Sequence, residues 1–274
     1  MSRSLRWILL ALAASLPGCA NLNLYGDDEM NRLGAEAYVE ATKDYPVITG
    51  TKDAQMVARV AQRIATSCEA DFEWEFKLLK ADDVVNAFCL PGGKIAVYTG
   101  ILAVTQNESA LAAVVGHEVA HAVRKHGAKR MTQETLFGVA LAAAEAGLSM
   151  TEMAPETKNL TLGALGLGGQ VGLLLPFSRD HESEADIEGL RYAIRAGYDP
   201  NEAPKLWERM AKLSGGSSTP AWLSTHPASN DRAAALRAAI PQLVAQEKGW
   251  KAKPKAPTPS PTPSTTPAKA APKK

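Results

Sequence analysis

The stretch VVGHEVAHAVRKHG, Val114 to Gly127, places a glutamate between two histidines in an otherwise apolar run. His117 and His121 are four residues apart, so on a helix they stand one turn above the other on the same face and can share one metal ion. Glu118 lies about 100° round the helix from His117, close enough to reach a water on that ion without binding it. Two imidazoles and a carboxylate are costly to bury among Val114, Val115, Val119 and Ala120 unless a metal satisfies them. H-E-x-x-H therefore reads as a zinc-binding helix that carries its own general base.

A catalytic zinc takes three protein ligands and keeps one position for water. RDHESEAD, Arg179 to Asp186, supplies candidates for the third. Glu182 and Asp186 are i and i+4 on a second helix, so one carboxylate can bind metal while the other takes the N–H of a ligand histidine. Glu184 is the rival to Glu182. Two positions turn a helix by about 200°, so both cannot face the ion, and Glu182 is chosen because it has Asp186 as its partner. His126 and His181 are out of phase with the neighbouring ligands and are assigned to the surface or to a supporting role behind the site.

NAFCLPGGKIAVYTG, HEVAH, SRDHESEAD and THPASNDR occur in this order. With these motifs the chain resembles a family of membrane-associated zinc metallopeptidases that includes HtpX, the CAAX prenyl proteases and the periplasmic proteases BepA and LoiP. The resemblance covers roughly residues 30–245. It implies a zincin-type α+β fold, mainly helical, with a small antiparallel sheet against the metal-binding helix. It implies one Zn2+ held by His117, His121 and Glu182, with Glu118 as catalytic base and Asp186 orienting a ligand histidine. His226, in THP, matches a histidine that approaches the metal in some members, either stabilising the transition state or occupying the open position and keeping the enzyme latent. Arg179 and Arg232 bind the oxyanion or brace the acidic helix. Asn86 and the strand Lys94, Ile95, Ala96 and Val97 resemble a substrate-side hairpin to which a peptide adds as a further strand. Cys89 stands where a small residue is frequent.

The activity implied is zinc-dependent endopeptidase cleavage of misfolded or unassembled cell-envelope proteins. The competing expectation is a chaperone or assembly factor whose zinc site is structural or latent.

The elements that must position these groups follow from periodicity. Apolar residues at Ala35, Tyr38 and Val39, and at Met56, Val57, Val60, Ala61 and Ile64, mark two amphipathic helices. Residues 74–79, 84–90 and 94–98 read as strands, the last two joined in a hairpin by Pro91 to Gly93, with the second strand as a candidate sheet edge. Asn107 caps the H-E-x-x-H helix, which is predicted to run through His126 and stop near Gly127. A further helix is predicted over 133–148. The glycine-containing apolar run 160–177 reads as a buried helix or mobile lid, with a membrane span as the lesser alternative. A charged helix spans 179–198, and two more cover 203–213 and 232–245.

The ends carry different information. Arg3 and Arg6 precede an apolar run from Trp7 to Leu16, and LPGC, Leu16 to Cys19, resembles a lipobox. Residues 1–18 are read as a signal peptide, Cys19 as a lipidation site, 19–29 as a lipid-anchored tether, 30–250 as the metallopeptidase domain and 251–274 as a disordered Lys/Pro-rich tail. The expected location is the periplasmic face of the bacterial outer membrane, held by the lipid anchor, with a soluble periplasmic or secreted protein as the alternative. The chain has 274 residues and a formal charge of +1. Six lysines lie from Lys251 onward, and removing them with Arg3 and Arg6 leaves Cys19 to Trp250 near −7, without the basic surplus that nucleic-acid binding needs. Cys68 and Cys89 are read as either one disulfide or two buried thiols.

Overall fold

A computed structural model describes residues 23–162, 179–213, 220–227 and 230–251. The expectations for the signal, Cys19, most of the 160–177 run and nearly all of the tail lie outside these residues. Within them the chain runs α1 (Asp27–Thr42), β1 (Val47–Ile48), α2 (Lys52–Ser67), β2 (Glu75–Leu79), β3 (Ala87–Leu90), β4 (Lys94–Tyr98), α3 (Thr99–Thr105), α4 (Glu108–Val123), α5 (His126–Ser149), α6 (Arg179–Arg195), α7 (Glu202–Leu213), α8 (Ala221–Thr225) and α9 (Asn230–Glu247). Among the described residues no helix is long and apolar enough to cross a membrane.

Local signals start and stop the site-bearing helices. The Asn107 side chain accepts from the Ala110 N–H at 2.9 Å and so caps α4. At the far end of α6, Gly197 adopts φ +77, and the Tyr198 N–H reaches back to the Ala193 carbonyl at 3.0 Å. This is the left-handed stop that glycine accepts without a Cβ clash. α2 buries Val57, Val60, Ala61 and Ile64, spaced to share one face. α4 is different: it is buried almost all round, from Ala110 to Ala122. A helix apolar on every side belongs in the middle of a protein, and α2, α6, α7 and β3 pack around this one.

The sheet has the order β1-β2-β4-β3. The predicted hairpin is present, with Ala87 opposite Val97 and Leu90 opposite Lys94. The sheet is mixed, not purely antiparallel, because β2 pairs with β4 in parallel, Glu75 against Lys94 through Leu79 against Tyr98. Residues 80–86 carry the chain past β4 to its far side, so the return strand runs in the same direction as β2. The tie that fixes this connection is Thr99, whose hydroxyl donates to Asp82 at 2.6 Å and accepts from the Ala81 N–H at 2.9 Å.

That order corrects one expectation. β4 is an interior strand, hydrogen-bonded on both edges, and Ile95, Ala96 and Val97 are no more than 1% exposed. One of its faces packs with Tyr38 of α1 through Ala96 and Tyr98, and the other joins the core of α2 and α4 through Ile95 and Val97. Lys94 is held by the Glu73 carbonyl at 2.9 Å. A peptide cannot add to β4. The sheet edge on the α4 side is β3.

Candidate metal centre

α4 and α6 cross where each has a glycine. A Cβ on Gly116 would come 2.6 Å from the Gly189 carbonyl oxygen, and one on Gly189 would come 2.6 Å from the His117 nitrogen. Only two residues without side chains allow this approach, and it sets the acidic start of α6 against the histidines of α4.

The histidine Nε2 atoms of His117 and His121 are 3.1 Å apart. Glu182 closes on both, with Oε2 3.5 Å from His117 Nε2 and Oε1 3.3 Å from His121 Nε2. His226, at the end of α8, brings Nδ1 to 3.2 Å from His117 Nε2 and 2.9 Å from Glu182 Oε1. One donor atom from each of these four buried residues falls within 4.8 Å of the others. Bonds of about 2.0–2.2 Å to a tetrahedral divalent ion require donor separations of about 3.2–3.6 Å. The separations among His117, His121 and Glu182, 3.1–3.5 Å, lie close to that range, while His226 Nδ1 stands nearer to Glu182 Oε1, at 2.9 Å. Glu182 Oε2 is also a buried oxygen without a hydrogen-bond partner, although Arg232 Nη1 lies 2.7 Å away as an ion pair. The residues present therefore suit a metal ion.

The electrostatics favour positive charge at this point. Burial would raise the Glu182 pKa, yet the three surrounding imidazoles outweigh it and hold the carboxyl far below its ordinary value. Burial likewise pulls His117 down, but Asp186 and Glu182 overcome it and hold the imidazole at about 9. His121 goes the other way, pushed far down first by burial and then by the neighbouring imidazoles, against the pull of Glu182.

Behind the donors stand the groups that orient them. Asp186 Oδ1 lies 3.0 Å from His117 Nδ1, and the Arg232 guanidinium grips both Asp186 oxygens at 2.7 Å. Burial opposes ionisation of Asp186, and His117 with Arg232 holds its pKa down. Arg232 also lies flat on Trp207, 3.5 Å from the ring centroid. It braces the acidic helix through ion pairs. Arg179 is exposed at the first residue of α6, and among the described residues its side chain forms no ion pair with the acidic helix. Glu184 turns away from the cluster to His126 and Arg124, as its phase on the helix requires.

His126 is not a surface residue. It is fully buried, with Nδ1 2.9 Å from His121 Nδ1. The expected single helix through His126 breaks at Lys125, which takes φ 57 and ψ 33 and turns the chain into α5. His181 stacks on the His126 ring at 4.2 Å.

Glu118 faces a second feature that spacing did not reveal. The Trp222 indole N–H donates to Glu118 Oε1 at 2.5 Å, and His226 Nε2 lies 3.4 Å from the same oxygen. Trp222 stacks on Trp207 at 4.9 Å. No sequence signal announces Trp222, beyond its lying one turn before His226 on a short helix. Asn86 is half-buried at the mouth of the hairpin, its carbonyl accepting from the Tyr98 N–H at 3.1 Å. Cys68 and Cys89 are buried thiols without a disulfide. Burial, and secondarily Glu118, pushes the Cys89 thiol well above its ordinary value.

Comparison with known proteins agrees with this centre. The mitochondrial metalloendopeptidase OMA1 of Schizosaccharomyces pombe is 38% identical over 224 residues, which is 78% of this chain and 62% of that protein. OMA1 of Arabidopsis thaliana is 41% identical over 172 residues, 63% of this chain and 33% of the relative. The beta-barrel assembly-enhancing protease of Escherichia coli is 29% identical over 157 residues, 57% of this chain and 32% of the relative. The chain thus spans between about a third and three-fifths of the length of these relatives. Residues 51–240, which include every donor of the cluster, match Peptidase family M48, and the chain belongs to that family.

Proposed function

We propose that the protein is a zinc-dependent endopeptidase. The observation that carries this reading is the meeting of His117, His121 and Glu182 from two helices around one point, with Glu118 beside it and not in the donor set. Two imidazoles and a carboxylate at tetrahedral spacing suit zinc. When bound, zinc supplies Lewis-acid polarisation of a peptide carbonyl and lowers the pKa of water at the site.

The chain's own residues supply the rest. Glu118 accepts the proton of the attacking water and passes it to the leaving amine. Trp222 fixes the Glu118 oxygen by its N–H, and Asp186 with Arg232 fixes His117. The edge strand β3 packs on α4, and among the described residues no strand pairs with its outer side. An extended peptide can add there by backbone hydrogen bonds, a mode that suits unfolded segments more than a particular sequence.

Misfolded or unassembled envelope proteins are the proposed substrates, acting at the periplasmic face of an outer membrane. The lipobox-like LPGC ending at Cys19 supports the lipid anchor, and the name of the Escherichia coli relative supports a role near the assembly of beta-barrels. A soluble periplasmic or secreted form is the alternative location. The second reading, an assembly factor with a latent site, is favoured by one contact: His226 Nδ1 lies among the donors, where a fourth protein ligand would close the position that catalysis needs.

The test is zinc content and casein cleavage for the purified wild type and Glu118→Gln. Zinc in both, with chelator-sensitive cleavage by the wild type alone, is the expected result. Equal cleavage by the two proteins overturns the reading.

A further inference from the structure

His121 has a structural partner that its sequence neighbourhood hides. On one continuous helix, five residues would place His126 about 140° round from His121, facing elsewhere. The left-handed turn at Lys125 reverses the chain and returns His126 so that the two Nδ1 atoms meet at 2.9 Å. A non-glycine residue rarely adopts that conformation. The other nitrogen of His126, Nε2, is 3.0 Å from Glu184 Oε2, and Arg124 Nε holds Glu184 Oε1 at 3.2 Å. The chain His121, His126, Glu184, Arg124 thus leads from the buried donor cluster to the half-exposed edge of α6.

We infer that His126 is a positioning residue for the metal centre: it fixes the tautomer and ring orientation of His121, with Glu184 fixing His126 in turn. The inference rests on the metal-site reading above. Donors and acceptors leave one self-consistent assignment. If Nε2 of a neutral His121 offers its lone pair to the ion, the proton of His121 is on Nδ1, and this N–H donates to His126 Nδ1. His126 must then carry its own proton on Nε2, where it donates to the Glu184 carboxylate. The opposite order would put the proton of His121 on the ligating nitrogen. His117 has a carboxylate directly against it, with Asp186 Oδ1 3.0 Å from Nδ1. His121 is keyed through an interposed imidazole. The same carboxylate that sequence spacing offered as a rival ligand, Glu184, acts two bonds further out.

Three measurements on the full chain test this. In the zinc-loaded wild type, long-range proton–nitrogen-15 correlation spectra should show His126 protonated on Nε2; protonation on Nδ1 overturns the assignment. His126→Phe fills the ring's space without an acceptor and should weaken zinc affinity by about 10- to 100-fold in competition with a chromophoric chelator. His126→Asn, which keeps an acceptor near the Nδ1 position, should recover most of that loss and restore the cobalt(II) absorption spectrum of the wild type. A merely space-filling histidine predicts the reverse order of the two variants, and that outcome overturns the inference. Glu184→Gln keeps an oxygen acceptor, loses the charge and should weaken affinity less than His126→Phe; it answers the question if His126→Phe does not fold, with unchanged affinity counting against the proposed chain. A wild type that binds no zinc removes the metal reading itself, whereas tight wild-type binding with undiminished affinity in every variant removes this inference alone.

Discussion

Gly116 and Gly189 meet backbone to backbone where α4 crosses α6, and a Cβ on either would stand 2.6 Å from the other helix's main chain. Glycine inside a helix costs roughly 1 kcal/mol relative to alanine, so two of them facing each other need a reason. The reason is distance: the crossing places Glu182 and Asp186 within reach of His117, and a wider one would separate the ligand sets.

Gly189→Ala should therefore act on both stability and metal. The clash is with backbone atoms that cannot rotate aside, so the helices must part, at a cost of about 1–3 kcal/mol. Chemical denaturation measures the first effect, and chelator competition should show weaker zinc binding. Loss of stability with unchanged affinity would mean that the crossing does not set the donor geometry.

Trp222→Phe keeps the stack on Trp207 but removes the N–H that Glu118 accepts. A hydrogen bond to a charged group contributes about 1.5–3 kcal/mol, so turnover should fall by an order of magnitude or more while zinc content stays at the wild-type level. Turnover equal to wild type would assign Trp222 to packing alone.

His226→Ala separates the two roles open to this histidine. With Nδ1 among the donors, it competes for the position that the reaction requires. Its removal should lower zinc affinity and raise casein cleavage per bound zinc. If cleavage instead falls toward that of Glu118→Gln, His226 stabilises the transition state and does not block the site.

Glu247 anchors the end of α9 to α6. It pairs with Arg191 and, at 2.6 Å, with Arg195 Nε. Burial opposes its ionisation, but the two guanidinium groups hold its pKa below the ordinary carboxylate value. A depressed folded pKa means the stabilisation is present above the unfolded value, about 4.3, and fades as pH falls through the folded one. Glu247→Gln should thus lose about 1–2 kcal/mol at pH 7, as expected for removing the charge from a partly buried, hydrogen-bonded ion pair. The gap from wild type should shrink once the pH is taken below about 4, which urea titrations at the two pH values would show. A gap that stays constant over this range would contradict the ion-pair account.

The residues legible in the chain were those whose neighbours along it decide their geometry. The four-residue spacing of His117 and His121, the Asn107 cap, the glycine stop at Gly197 and the opposite phases of Glu182 and Glu184 all follow from one helix repeat and its ends. Helical phase kept Glu182 and Glu184 from facing the ion together, and Asp186 one turn on from Glu182 picked the one that joins the donor set. Other relationships depend on where distant segments come to rest. The connection over 80–86 decided that β4 runs beside β2 and is closed on both edges, which moved the open edge to β3. Lys125 left the helical region, so His126 returned to His121 where continued periodicity would have sent it away. Trp222 reached Glu118 across 104 residues of chain. Periodicity is a property of a few consecutive dihedrals, whereas contacts of this range are chosen by the packing of whole helices, which only the folded chain decides.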